Sequence, residues 1–168
     1  EIMQEVASSV LDSLADNVNV GLMRYSNDGG SGGDSEAQGG MVIHPVEAIE
    51  NARGPMKAAI NSWSASGWTP LSETLYEATQ YFRGDQVYFG GGADSSLHPS
   101  AYSKSDVRTS LPNGDTPSVT ASRNPSNLSL YDSPADQDCQ KNYIVFLTDG
   151  LPTQDNEANT RIESLPGF

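Results

Sequence analysis

The sequence predicts an α/β fold, a doubly wound and mostly parallel sheet flanked by helices. Three observations lead there. Apolar residues recur at helical spacing over 2–14, 55–63 and 70–82. The stretches "VNVGLMRYS", "MVIHPV" and "YIVFL" carry the β-branched and aromatic character of strands. Helices and strands interleave along one chain, an order that packs as a sheet with helices on its faces.

Each element has its own warrant. Ile2, Val6, Val10 and Leu14, flanked by Met3, Ala7 and Leu11, make one apolar helix face, which Asp16 and Asn17 break. No N-cap precedes this helix, so the chain reads as a fragment of a longer protein. Val18, Val20 and Leu22 line one side of the first strand, and the Gly-rich tract from Gly29 to Gly40 reads as a hairpin tip before the second. Pro55 opens a short helix that buries Met56, Ala59, Ile60 and Trp63; Thr69-Pro70 opens another, lined by Leu71, Leu75, Ala78 and Phe82. Residues 84–138 lose periodicity and form a loop-rich insertion, packed in places by Tyr88, Phe89, Tyr102 and Tyr131. The run Tyr143 to Leu147 then reads as a core strand stopped by Thr148-Asp149-Gly150, with Asp155, Asn156 and Glu157 starting a helix beyond Thr153.

Composition excludes several function classes. The formal net charge is −13 with only 9 basic residues, which argues against nucleic acid and against anionic membrane surfaces. No apolar run approaches the roughly 18 residues of a membrane span. At 168 residues the chain makes one domain, and its hydrophobic share of 36% leaves a modest core under long loops. Cys139 stands alone, so it is a free thiol or pairs outside this sequence. No G-x-S-x-G elbow is present for a hydrolase. His44 and His98 have no second ligand at metal spacing; Asp132, Asp136 and Asp138 lack the Gly and terminal Glu of an EF-hand loop and read as a solvated acidic loop. Asn127 opens a formal glycosylation sequon, N-L-S.

Thr69 and Asp149 are the candidate site. In an open α/β sheet ligands bind beyond the carboxyl ends of the strands, where both residues are expected. A hydroxyl and a carboxylate are hard oxygen donors suited to Mg²⁺, or to Mn²⁺ or Ca²⁺. Two plainer readings stand beside this one. Thr-Pro is also a helix opening, with Thr as N-cap, and Asp-Gly is also a turn pair. Ser72, one helical turn after Thr69, faces the helix start.

The stretches "NVNVGLMRYS", "SGWTPLSETLYEA" and "YIVFLTDGLPTQD" resemble the second strand, threonine loop and fourth-strand aspartate loop of the von Willebrand factor type A family. With "TPLSETLYEATQYFRG", the long insertion and "CQKNYIVFLTDGLPT", the chain is similar to the N-terminal domain of PilY-type adhesins at type IV pilus tips. The resemblance implies that residues 1–168 are a partial domain lacking its first strand and C-terminal strands, with 84–138 inserted within it. It implies a metal-ion-dependent adhesion site in which Thr69 and Asp149 match two elements of the ligand pattern. The third, Asp-x-Ser-x-Ser, would lie before the first helix. It implies a bacterial extracellular protein, not an enzyme, that binds a carboxylate-bearing protein or host-surface ligand and other pilus components. The alternatives are a structural or assembly module with a degenerate metal site and, ranked last, an intracellular module assisting an ATPase.

Overall fold

The computed structural model describes residues 2–25, 40–64, 69–91, 118–148, 150–153, 155–156 and 158–166. In chain order its elements are α1 (Ile2–Ser13), β1 (Asn19–Tyr25), β2 (Gly40–Ala48), α2 (Ile49–Ser62), α3 (Leu71–Arg83), β3 (Arg123–Asn124), β4 (Asn127–Tyr131) and α4 (Asn159–Glu163), with 3₁₀ turns at Phe89–Gly91 and Thr120–Ser122.

The expected doubly wound, mostly parallel sheet is not what forms. Among the described residues there are two antiparallel two-stranded sheets, β1–β2 and β3–β4. The reason lies in chain order. Parallel neighbours need a crossover of a dozen or more residues, usually a helix, between them. Here β1 and β2 have no helix between them among the described residues and pair antiparallel, from Asn19 opposite Ala48 to Tyr25 opposite Gly40.

The run from Tyr143 to Leu147 is a second correction. It forms no strand, and Tyr143 and Val145 are 77% and 75% exposed. An apolar run becomes a core strand only when a neighbouring strand completes its hydrogen bonds and a packed layer covers it; no described strand lies alongside.

Burial gathers in three clusters. Leu11 of α1 packs with Ile49, Ala52, Met56 and Ile60 of α2, over Val18, Val20 and Leu22 of the first strand region. The i, i+3, i+4 spacing of that α2 stripe is why the helix sits where it does, and Ile49, Met56 and Ile60 each contribute about 1.5–3 kcal/mol on full burial. Here Pro55 lies inside α2 and does not open it, since the apolar stripe already begins at Ile49. In α1 the inward stripe is Ala7, Leu11 and Leu14, whereas Ile2, Val6 and Val10 are exposed.

Val42 of β2, Tyr81 of α3, Val87 and Tyr131 of β4 form the second cluster; Tyr76, Phe89 and Ala158 form the third. These two clusters place α3 at the centre of the fold. The insertion shares these clusters with α3 and β2, and its backbone is tied in as well: Val119 N–H donates to Val42 O at 2.9 Å and Val87 N–H to Ser129 O at 3.0 Å. Tyr102 lies outside the described residues.

Candidate functional site at the start of helix α3

Helix α3 departs from its expected face at Leu75, which is 41% exposed, although Ala78 of that stripe is buried; Glu73, Thr74, Tyr76, Glu77, Gln80 and Tyr81 are buried as well. Polar groups go inside at low cost only when partners replace water. For Glu73 Oε1, Glu77 and Tyr81 those partners come from other segments of the chain, and they define the site.

The first turn of any helix leaves N–H groups without intrahelical acceptors. Pro70, the N-cap of α3, makes no side-chain capping bond. Asp155 does that work from the far end of the chain. Ser72 N–H donates to Asp155 Oδ1 at 2.5 Å, and Ser72 Oγ donates to Asp155 Oδ2 at 3.1 Å. A carboxylate is the charge that a helix N-terminus favours.

Thr69 adds a reciprocal clasp beside this cap. Its N–H donates to Thr153 Oγ1 at 3.0 Å, and Thr153 N–H donates back to Thr69 O at 3.1 Å. Thr69 is thus not the N-cap of α3. Its backbone is the seat of the segment that follows Thr148-Asp149-Gly150.

Glu73, one residue beyond Ser72, has no exposed surface. Its Oε1 accepts from Ala158 N–H at 3.2 Å. Among the described residues no donor reaches its Oε2. Burial, followed by the hydrogen bond with Asp155, pushes the Glu73 carboxyl up to about 8. Tyr25 at the end of β1 has a buried hydroxyl without a hydrogen-bond partner among the described residues, and burial, then the Asp155 charge, push its phenol up.

A second buried carboxyl lies one turn further along α3. Glu77 Oε1 accepts from Tyr88 N–H at 3.0 Å and from Tyr131 Oη at 2.6 Å, and Oε2 accepts from Phe89 N–H at 2.9 Å. Ser118 Oγ meets Tyr131 Oη at 2.9 Å and takes the Val42 N–H at 2.9 Å. Arg123 ties the floor of this network to Ser118 O and Leu128 O. Gly90 closes it: a Cβ there would lie 2.3 Å from Ser118 Oγ and 2.4 Å from Tyr131 Oη. Every polar group here has a structural partner, so this cluster anchors the insertion to α3.

The sequence-predicted candidates fall as follows. Thr69 is half-buried at the rim of the Asp155 cap, and Thr148 is exposed, its hydroxyl paired with the Gly150 backbone. Asp149 lies outside the described residues, as does His98. His44 is in β2, 3.3 Å from Glu47. Cys139 is a free, exposed thiol. Asp132, Asp136 and Asp138 are exposed, and among the described residues no group of three His, Cys, Asp or Glu side chains could hold a metal. Sequence reasoning missed Asp155 and Glu73. Both look like ordinary polar positions, and only the chain path brings them together.

The chain matches no family model, no curated protein and no solved structure.

Proposed function

We propose that this chain is a non-enzymatic, extracellular adhesion module of the pilus-tip type, which binds a carboxylate-bearing ligand through a divalent cation at Thr69 and Asp149. The observation that supports it is the clasp between Thr69 and Thr153, which ties the threonine loop to the segment just after Asp149. Both backbone groups of Thr69 serve that clasp, and neither bond uses its hydroxyl.

The donor chemistry fits a hard cation. Thr69, Thr148 and Thr153 offer hydroxyl oxygens, Asp149 a carboxylate, and neither histidine nor thiol belongs to the set. Mg²⁺ so held keeps several waters, one of which an incoming carboxylate replaces. The cation supplies positive charge that a surface of net charge −13 otherwise lacks. The chain's own residues hold the two loops together and orient the hydroxyl.

The test is a Mg²⁺ titration of the wild-type chain, Asp149→Ala and Thr69→Ala, together with retention on carboxylate-bearing beads. Binding weakened at least tenfold in both variants, with retention reversed by chelator, is the expected result. Unchanged Mg²⁺ affinity in Asp149→Ala sinks the site, and the chain is then a structural module of the surface assembly.

A further inference from the structure

We propose that residues 143–147 are a docking edge for a β-strand of a cationic partner chain, a segment in which apolar residues alternate with Lys or Arg. This edge uses neither Thr69 nor Asp149, so it stands apart from the adhesion site.

The backbone sets the form of the occupant. Among the described residues no hydrogen bond engages a backbone N–H or C=O of residues 143–147. Unpaired main-chain groups on an apolar run are a template for another strand. The side chains agree with that form. Tyr143 and Val145 are 77% and 75% exposed, Ile144 and Phe146 only 43% and 37%, which is the period-two alternation of a strand. A strand added here supplies the main-chain bonds, and its alternate side chains lie beside Tyr143 and Val145.

Charge sets the kind of chain. Gln140 Nε2 donates to Pro134 O at 2.8 Å and to Asn142 Oδ1 at 2.7 Å, and Gln140 N–H donates to Gln137 O at 3.0 Å. These bonds hold the turn that carries Asp136 and Asp138 against the residue just before Tyr143. Both carboxylates are exposed, as is Asp132 ahead of them, and Lys141 is the single cation in the stretch 132–147. A second copy would bring the same acidic turn, within a net charge of −13, so like-charge repulsion opposes self-pairing at ordinary salt. A strand carrying Lys or Arg meets the opposite sign, which speeds its encounter and selects it over an acidic one.

The experiment follows the fluorescence anisotropy of a short labelled peptide of alternating Val and Lys, added to the chain in the presence of chelator. The peptide is amidated at its C-terminus, so it carries no carboxylate for the Thr69–Asp149 site. Wild type should bind it less tightly as NaCl is raised, and should bind the matching Val–Glu peptide about tenfold or more weaker. Hydrogen exchange should slow at alternate amides of residues 143–147 in the complex, the signature of one paired strand edge. Val145→Pro removes one unpaired N–H and should cost about tenfold or more in affinity. A Val–Lys peptide N-methylated at alternate residues keeps side chains and charge and should lose as much, which gives the same reading if the variant fails to fold. The proposal is overturned if exchange at residues 143–147 is unchanged, if the N-methylated peptide binds undiminished, or if the Val–Glu peptide binds as tightly. Sedimentation showing the edge already filled by a second copy under these conditions overturns it too. Failure of the Thr69–Asp149 site shows instead in the Mg²⁺ titration, which leaves this result untouched.

Discussion

Glu77 shows what burial does to a single residue. Its carboxyl accepts hydrogen bonds that favour the charged form, yet loss of water outweighs them and pushes it up to about 7. The folded chain therefore holds this proton more tightly than the unfolded chain, whose glutamate titrates near 4.5. Between those values the native state binds more protons, so stability falls as pH rises. At about 1.36 kcal/mol per pH unit the loss from Glu77 amounts to about 3 kcal/mol, complete just above pH 7. Glu73, pushed up to about 8, adds a loss of the same sign that extends further. Urea unfolding at pH 5 and pH 8 should give a clearly lower midpoint at pH 8, and Glu77→Gln should flatten the difference. Equal midpoints in wild type would show that neither carboxyl is protonated in the fold. Nothing in the sequence marks either glutamate, because a Glu on a helix is ordinarily a solvated surface residue. Thr-Pro singled out Thr69 as a cap or a ligand, whereas what the structure uses is its backbone, in the clasp with Thr153; the Asp155 side left no local pattern, since its cap is supplied from 83 residues away.

Elements were legible where local spacing and tertiary packing agree. The extent of α1, the apolar side of β1 and the existence of α3 all follow from periodicity, and they stand. Where a helix meets polar loops, periodicity names the wrong face: Leu75 points outward because Glu73, Glu77 and Tyr81 find partners on the other side. Helix α2 is a different case. It contains Gly54 and Pro55 in its interior, two residues that each weaken a helix. It persists because Ile49, Ala52, Met56 and Ile60 bury one stripe against α1 and β1. A Cβ added at Gly54 meets nothing within 4 Å beyond its chain neighbours, so only the ring of the following Pro55 opposes it. Gly54→Ala should therefore stabilise the chain by less than the roughly 1 kcal/mol that helix propensity alone supplies. Thermal or urea unfolding reads this directly. A gain of about 1 kcal/mol or more would mean that Pro55 does not crowd this position.

At the scale of the whole molecule, two properties oppose each other. Tyr143, Ile144, Val145, Phe146 and Leu147 are exposed and join no sheet among the described residues, and Leu151 beyond them is 84% exposed. A β-prone apolar run with open backbone groups is a template for pairing with another copy. The chain also carries a net charge of −13, which keeps copies apart while the field reaches across the gap between them. That reach is about 10 Å at 0.1 M salt and about 3 Å at 1 M. Screening removes the repulsion but leaves the apolar run, whose attraction does not depend on charge. Sedimentation velocity should therefore show monomer at low ionic strength and association as NaCl approaches 1 M. Val145→Glu should suppress it, because a charge then sits in the middle of the run without disturbing any packed neighbour. Association that weakens with salt would mean that charge pairing holds the copies together. Association unchanged in Val145→Glu would place the sticky surface elsewhere, and the exposed stripe of Ile2, Val6 and Val10 on α1 would be the next segment to substitute.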